Sequence, residues 1–337
     1  LTIVPPSVHT TSDNLPTPMR AGDARPAGGT RSAVAPLAAI ALRDGTDRWT
    51  RAAVFSGVEG RVEGFRVAVT SGRAGASVAA VGAVMEELGR LVGASSSIPA
   101  AGAWLAEACA AARGEAWRIP AVLGLAEGLR GRIEFKGKAG AGLLATVAEA
   151  GPGVPVLEGF LRDAAATAAD AARPVALRSA AIALLGHAPF ERGLGALGPL
   201  LDARQAPELQ LQVVRALERS GDARGAEMLA DAGRWSRYTP QVREAAVAAL
   251  VSKPAMAKVL FAAIERGAIR PTDISSTRRS QLMKHANADV KAAAMRLFQS
   301  LEGGDRMAVY RVHKAVLAEA SDAARGAPVF ARACSAC

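Results

Sequence analysis

Aromatic residues make up only 4% of the 337 residues, and alternating apolar–polar runs are hard to find, so little in the chain favours a sheet. No apolar run reaches the roughly 18 to 20 residues that cross a bilayer. A basic start followed by an apolar stretch is missing, so no signal peptide is visible. The chain starts at Leu1 and stops on Cys337 inside a motif, so it reads as a fragment open at both ends, and a missing leader says nothing about secretion. There is no glycine-rich phosphate loop at a strand end, no His-x-x-x-His helix and no nucleophile motif, which makes an enzyme within these residues the least favoured reading. Cysteine is scarce: Cys109, Cys334 and Cys337.

What is abundant is alanine, leucine and valine. Half of the chain is hydrophobic, built largely from the strongest helix formers, and at this length an elongated helical array fits better than one compact core. One pattern recurs. Leu177-Arg178-Ser179-Ala180-Ala181-Ile182-Ala183-Leu184-Leu185-Gly186 is followed by Leu211-Gln212-Val213-Val214-Arg215-Ala216-Leu217-Glu218, by Val242-Arg243-Glu244-Ala245-Ala246-Val247-Ala248-Ala249-Leu250, and by Val290-Lys291-Ala292-Ala293-Ala294-Met295-Arg296-Leu297-Phe298. Each copy has an aliphatic residue, usually a base, small residues, then aliphatics at helical spacing. The period drifts around the length of one helix pair, the mark of an array in which each unit buries its apolar stripe against the next. Leu177, Leu184, Leu211, Leu217, Val247, Leu250, Val290 and Leu297 are the expected core. These copies resemble HEAT repeats, with Asp289-Val290-Lys291 nearest to the step that opens a HEAT second helix. The fold expected is all-α: a HEAT-like α-solenoid of stacked antiparallel helix pairs over 33–320.

Residues 1–32, rich in Pro, Ser and Thr with Gly28-Gly29, are expected to be an irregular lead. A helix pair is expected over 33–58, broken at Asp44-Gly45-Thr46-Asp47 with Asp47 as N-cap. The β-branched run Val67-Ala68-Val69-Thr70 between glycine-rich flanks predicts a loop or distorted turn over 59–76. Helices resume over 78–92, 101–113, 119–129, 143–150 and 156–172, with Trp104 and Trp117 as core residues. Past the strongest copies, Pro254–Glu265 is one more helix and the polar run from Thr277 to His285 is expected at the surface. His187 and His285 stand just past helix ends, where an imidazole can bond terminal carbonyls.

The charge is +10, and most of the excess lies in 236–325, a field that could attract an acidic protein, nucleic acid or anionic lipid but more often marks a solvated face. Recognisable chemistry is confined to the C-terminus, Gly326-Ala327-Pro328-Val329-Phe330-Ala331-Arg332-Ala333-Cys334-Ser335-Ala336-Cys337. Cys-x-x-Cys has three readings: half a zinc site, a redox pair, or a c-type haem attachment. Zinc needs four ligands, and Cys109 lies far off in an alanine-rich helix where it reads as a buried apolar residue. A redox pair belongs to a βαβ setting that this helical chain does not offer, which leaves haem. Gly326, Phe330 and Cys334 recur at i, i+4 and share one helix face.

This stretch resembles the first helix of class I c-type cytochromes, where Gly and Phe precede Cys-x-x-Cys-His. The resemblance implies that Cys334 and Cys337 bond haem vinyl groups, with an axial histidine directly after Cys337. Repeats followed at once by a cytochrome start resemble the large haem-binding Cys-x-x-Cys-His proteins of planctomycetes and relatives, on Trp49–Val54, Leu177–Gly186, Ala262–Phe298 and Gly326–Cys337. That family implies a preceding dehydrogenase-like propeller, a following cytochrome c domain beginning over 321–337, haem c as cofactor, and export to the periplasm or cell envelope. The function expected is a non-catalytic scaffold joining the two. The alternative is a HEAT-type binding module that uses basic residues of 236–325 on an acidic protein, nucleic acid being the less favoured partner.

Overall fold

A computed structural model describes residues 33–58, 60–132, 135, 143–149, 154–302 and 306–334. The expected lead over 1–32 lies outside the described residues. Those that are described form helices and connections, with no strand among them. In chain order the helices are α1 (Val34–Asp44), α2 (Arg48–Ser56), α3 (Val62–Gly72), α4 (Val78–Ser95), α5 (Ile98–Ala110), α6 (Arg118–Arg130), α7 (Leu143–Glu149), α8 (Val154–Ala169) and α9 (Val175–Leu185). After two 3-10 segments, Phe190–Arg192 and Leu194–Leu201, come α10 (Pro207–Ser220), α11 (Ala223–Leu229), α12 (Ala232–Trp235), α13 (Pro240–Leu250) and α14 (Pro254–Glu265). A 3-10 turn at Pro271–Asp273 precedes α15 (Ser276–Met283), α16 (Ala288–Glu302), α17 (Arg306–His313) and α18 (Ala323–Ala333).

The contacts fall into two rows. In the first, α1, α4, α6, α9, α10 and α13 each touch the next; in the second, α5, α8, the 3-10 segment Leu194–Leu201, α11, α14 and α16 do the same. Cross-contacts such as α5 with α6, α8 with α9 and α13 with α14 join the rows, and every substantial contact is between near neighbours in chain order. Of the expected core, Leu184, Leu217, Val247, Leu250 and Val290 are fully buried, while Leu177, Leu211 and Leu297 are partly buried against it. Trp104 and Trp117 are buried as expected, and Asp47 caps α2 by accepting from the Thr50 N–H at 2.7 Å.

The expected loop over 59–76 is instead mostly α3. Phe65 and Val69, four residues apart, are both fully buried. Packing of that face on α1 outweighs the weak propensity cost of β-branched residues. The stretch from Thr277 to His285 is also not purely surface, since Leu282 in α15 is buried.

The recurring base has a structural reason. Arg178, the fourth residue of α9, is buried and donates from Nε to the Ala168 carbonyl at the end of α8 (3.0 Å). Arg51 in α2 donates to the Gly45 carbonyl (2.6 Å), and Arg243 in α13 reaches the carbonyls of Trp235 and Tyr238 (both 3.4 Å). Arg279 in α15 donates to the Ile274 carbonyl at 2.6 Å. Each supplies a donor to a terminal carbonyl that the preceding helix cannot satisfy itself. Arg118 does the same from the first position of α6, to the carbonyls of Ala108 (3.1 Å) and Cys109 (2.8 Å). In α10 the slot belongs to Gln210, buried and donating to the Asp202 carbonyl at 2.6 Å, not to Gln212 as the sequence alignment placed it. The last copy is likewise displaced: Lys291 is exposed, and Arg279 holds the latch position.

The most extensive contact is α4 on α6. Gly89 and Gly93 of α4 lie against the backbone of Ala121 and Leu125, while Gly124 and Gly128 of α6 lie against the backbone of Glu86 and Arg90. A Cβ at any of these four would fall inside the van der Waals radius of a carbonyl oxygen, so only glycine permits this approach. Arg90, at the rim of the crossing, bridges Glu86 (2.9 Å), Glu87 and Glu127 (2.9 Å). With so close a neighbour, α6 is buried almost all round.

Candidate functional site

α18 carries the cysteine to which the sequence pointed. Asp322 caps it, accepting from the N–H groups of Ala324 and Arg325 at 3.0 Å each, and Pro328 lies within it. The Cys334 N–H donates to the Phe330 carbonyl at 2.8 Å, so the last helical turn runs on to the cysteine and keeps Phe330 and Cys334 on one face. No residue of this helix is buried: Phe330 is 63% and Val329 52% exposed, and nothing lies near Gly326. α18 is therefore an amphipathic helix whose apolar face is uncovered, ending in an accessible thiol. Such a face and thiol fit covalent attachment of a flat apolar group like haem. Cys337, the second expected attachment residue, lies outside the described residues.

Cys109 is different in kind. It is buried in α5, and burial pushes its thiol up to about 12, partly offset by the Arg118 guanidinium. Since the thiolate is the reactive form, maleimide should label Cys334 in the folded protein while Cys109 reacts at least about a hundredfold more slowly until the chain is unfolded. Peptide mass spectrometry after timed labelling checks this; equal rates at the two positions would contradict the burial of Cys109. Among the described residues no group of three His, Cys, Asp or Glu side chains is placed to hold a metal ion. None of the described helices is long and apolar enough to cross a membrane.

The two histidines do not cap carbonyls. His187 is fully buried with neither ring nitrogen hydrogen-bonded, and near the end of α9 it is Arg219 that donates to a carbonyl, that of Ala183 at 3.0 Å. Burial, with Arg219 and Arg130 adding to it, lowers the His187 pKa to about 3. At His285 the ring accepts from the Asn287 N–H (3.0 Å), and so shapes the turn into α16.

The basic residues of 236–325 are largely engaged within the chain. Arg243 and Arg279 latch helix ends, Arg270 pairs with Asp273, Arg278 with Glu244 and Arg325 with Asp322. A different basic group emerges where the first-row helices end together. Arg132 donates to the Ser96 carbonyl past α4 (2.7 Å), Arg219 to Ala183 in α9, and the Lys253 ammonium to the Arg219 carbonyl in α10 (3.1 Å). Arg130, the last residue of α6, is close enough to lower the pKa values of Arg219 and Lys253, for both of which burial is the larger cause. Sequence reasoning missed this group because its members sit on different helices; the available signal was a base at or just past successive helix ends.

A cleft of about 430 Å³ between α3, α4 and the connection before α6 is lined by Thr70, Arg73, Val78, Glu115 and Trp117. Three of its polar side chains serve one another, Glu115 accepting from the Trp117 indole (2.8 Å) and from Arg73 (3.2 Å), while the Thr70 hydroxyl has no partner among the described residues. Comparisons of the chain with family models, curated proteins and solved structures return no match.

Proposed function

We propose that the chain is a HEAT-like α-solenoid serving as a rigid, non-catalytic scaffold, and that Cys334 and Cys337 anchor haem c at its end. The observation that carries this reading is the sequence of parts: a helical array with only local contacts, then a bare amphipathic helix ending in an accessible thiol. Haem, when bound, supplies one-electron chemistry. The chain contributes placement, since stacked helices hold a donor–acceptor distance that a Gly/Ser linker lets fluctuate. In the full-length protein the scaffold would join a dehydrogenase-like domain to a cytochrome c domain and would work outside the cytoplasm, where haem c is attached. The binding-module alternative over 236–325 is less well supported, because so many of its bases are already paired.

A chain extended beyond Cys337 through the expected cytochrome domain, made in cells with a haem c maturation system, should carry haem that survives denaturation. Changing Cys334 and Cys337 together to alanine should abolish that attachment. A natural reading frame without histidine after Cys337, or zinc in place of haem in the extended protein, would sink the assignment.

A further inference from the structure

We infer that the edge where α6, α9, α10 and α13 end is a docking surface for an acidic peptide segment of a partner protein, with Arg130, Arg215, Arg219 and Lys253 as its cationic contacts. Successive first-row helices present their C-termini along this edge, as the bonds from Arg219 to Ala183 and from Lys253 to Arg219 require. Among the described residues, none of the four cations forms an ion pair; Arg215 bonds only the Gln212 side-chain oxygen, at 3.3 Å. This sets them apart from bases such as Arg66, Arg90 and Arg224, each of which holds two or more carboxylates.

Two of the cations are fixed in place. Arg219 and Lys253 are half-buried and tied to backbone carbonyls, so their charges cannot swing apart to relieve repulsion, whereas Arg130 and Arg215 are exposed beside them. Like charges held together in this way are relieved by a bound anion.

The composition of the edge selects the anion: four cations from three separate segments, two of them exposed, gather close enough to act on one another. Glu127 and Glu218 also lie near these cations, the former bonded to Arg90. Interleaved carboxylates oppose a uniformly charged phosphate backbone, and none of the named edge residues is an aromatic on which a base could stack. A peptide with spaced Asp or Glu residues meets neither objection. This inference does not rest on the haem reading.

The test uses a fluorescein-labelled peptide of four Glu-Gly repeats and anisotropy at low ionic strength, on the protein as it stands. Binding should weaken with added salt, and R130A/R215A should lower affinity roughly fivefold or more. Both residues are exposed and unpaired, so circular dichroism should show the fold intact. The double variant R43A/R204A removes the same charge at sites already paired with Asp44 and Asp202 and should leave affinity within about twofold. Equal losses in the two double variants would reduce the effect to net charge and overturn the site. Failure of the peptide to bind, or tighter binding of an oligothymidylate of equal charge, would overturn it as well.

Discussion

Replacing Gly124 by leucine should unfold the α4–α6 region, with a loss of at least about 4 kcal/mol, larger than most core substitutions produce. In an ordinary helix interior, glycine is the weaker choice and alanine gains up to about 1 kcal/mol. At Gly124 that sign reverses, because the first side-chain carbon would meet the Glu86 carbonyl and the rigid backbone behind it. Neither helix can step aside easily: α6 is buried nearly all round, and Leu125 and Leu129, on the same helix, are fully buried. Separating the axes would also pull Glu127 away from Arg90. Gly82 on α4 is the matched control, since its Cβ would meet only the Pro120 ring at an ordinary 3.6 Å, so Gly82→Ala should be neutral or stabilising. Urea midpoints of the two variants against the parent decide the matter; a mild Gly124→Leu would mean that the helices do not touch through glycine.

Acid should weaken this protein well before its carboxylates titrate, and His187 is the reason. Its pKa is lowered to about 3 by burial first and by Arg219 and Arg130 second, while in the unfolded chain it returns to about 6.5. Between those values the unfolded state binds a proton that the folded state refuses. Stability is therefore complete above about pH 6.5 and falls by about 1.4 kcal/mol per unit as pH drops toward 3. From pH 6.5 to 4.5 the expected loss is about 2–3 kcal/mol. His187→Leu should flatten the profile across that window. At neutral pH it should cost little or even stabilise, since no hydrogen bond of the ring is lost. Denaturant midpoints at several pH values measure both effects; an unchanged slope in the leucine variant would show that the imidazole is solvated or partnered.

The sequence made the helical class and most helix positions legible, because alanine–leucine periodicity survives without knowledge of neighbours. What it misplaced depends on neighbours. α3 was hidden by Val67, Val69 and Thr70, whose local preference yields to the burial of Phe65 and Val69 against α1. The latch slot slipped from Gln210 to Gln212 because both offer a glutamine two positions apart, and only the buried one reaches the Asp202 carbonyl. His187 read as a capping residue from its place after α9, yet the cap comes from Arg219, more than a helix pair away in sequence. Of the candidate site, the helix leading to Cys334 was readable from i, i+4 spacing, whereas the exposure of its thiol was not. The cation group was not, since it assembles from the ends of separate helices.

The arginine latches also bear on how such a chain can change length over generations. Arg51, Arg178, Arg243 and Arg279, with Gln210 in the same role, each serve a carbonyl of the segment just upstream, within ten residues. The joint between a segment and the helix that follows is therefore written entirely inside one short stretch of gene. A tandem duplication of that stretch carries its own joint with it, and a deletion removes donor and acceptor together, so only the longer bonds such as Arg219 to Ala183 and Lys253 to Arg219 have to be re-formed. The α4–α6 crossing is the opposite case, because its four glycines lie on two helices with α5 between them, and a duplication that broke that set would leave side chains facing backbone. The two kinds of contact thus divide the chain into stretches whose joints heredity can copy one at a time and one that it must copy whole.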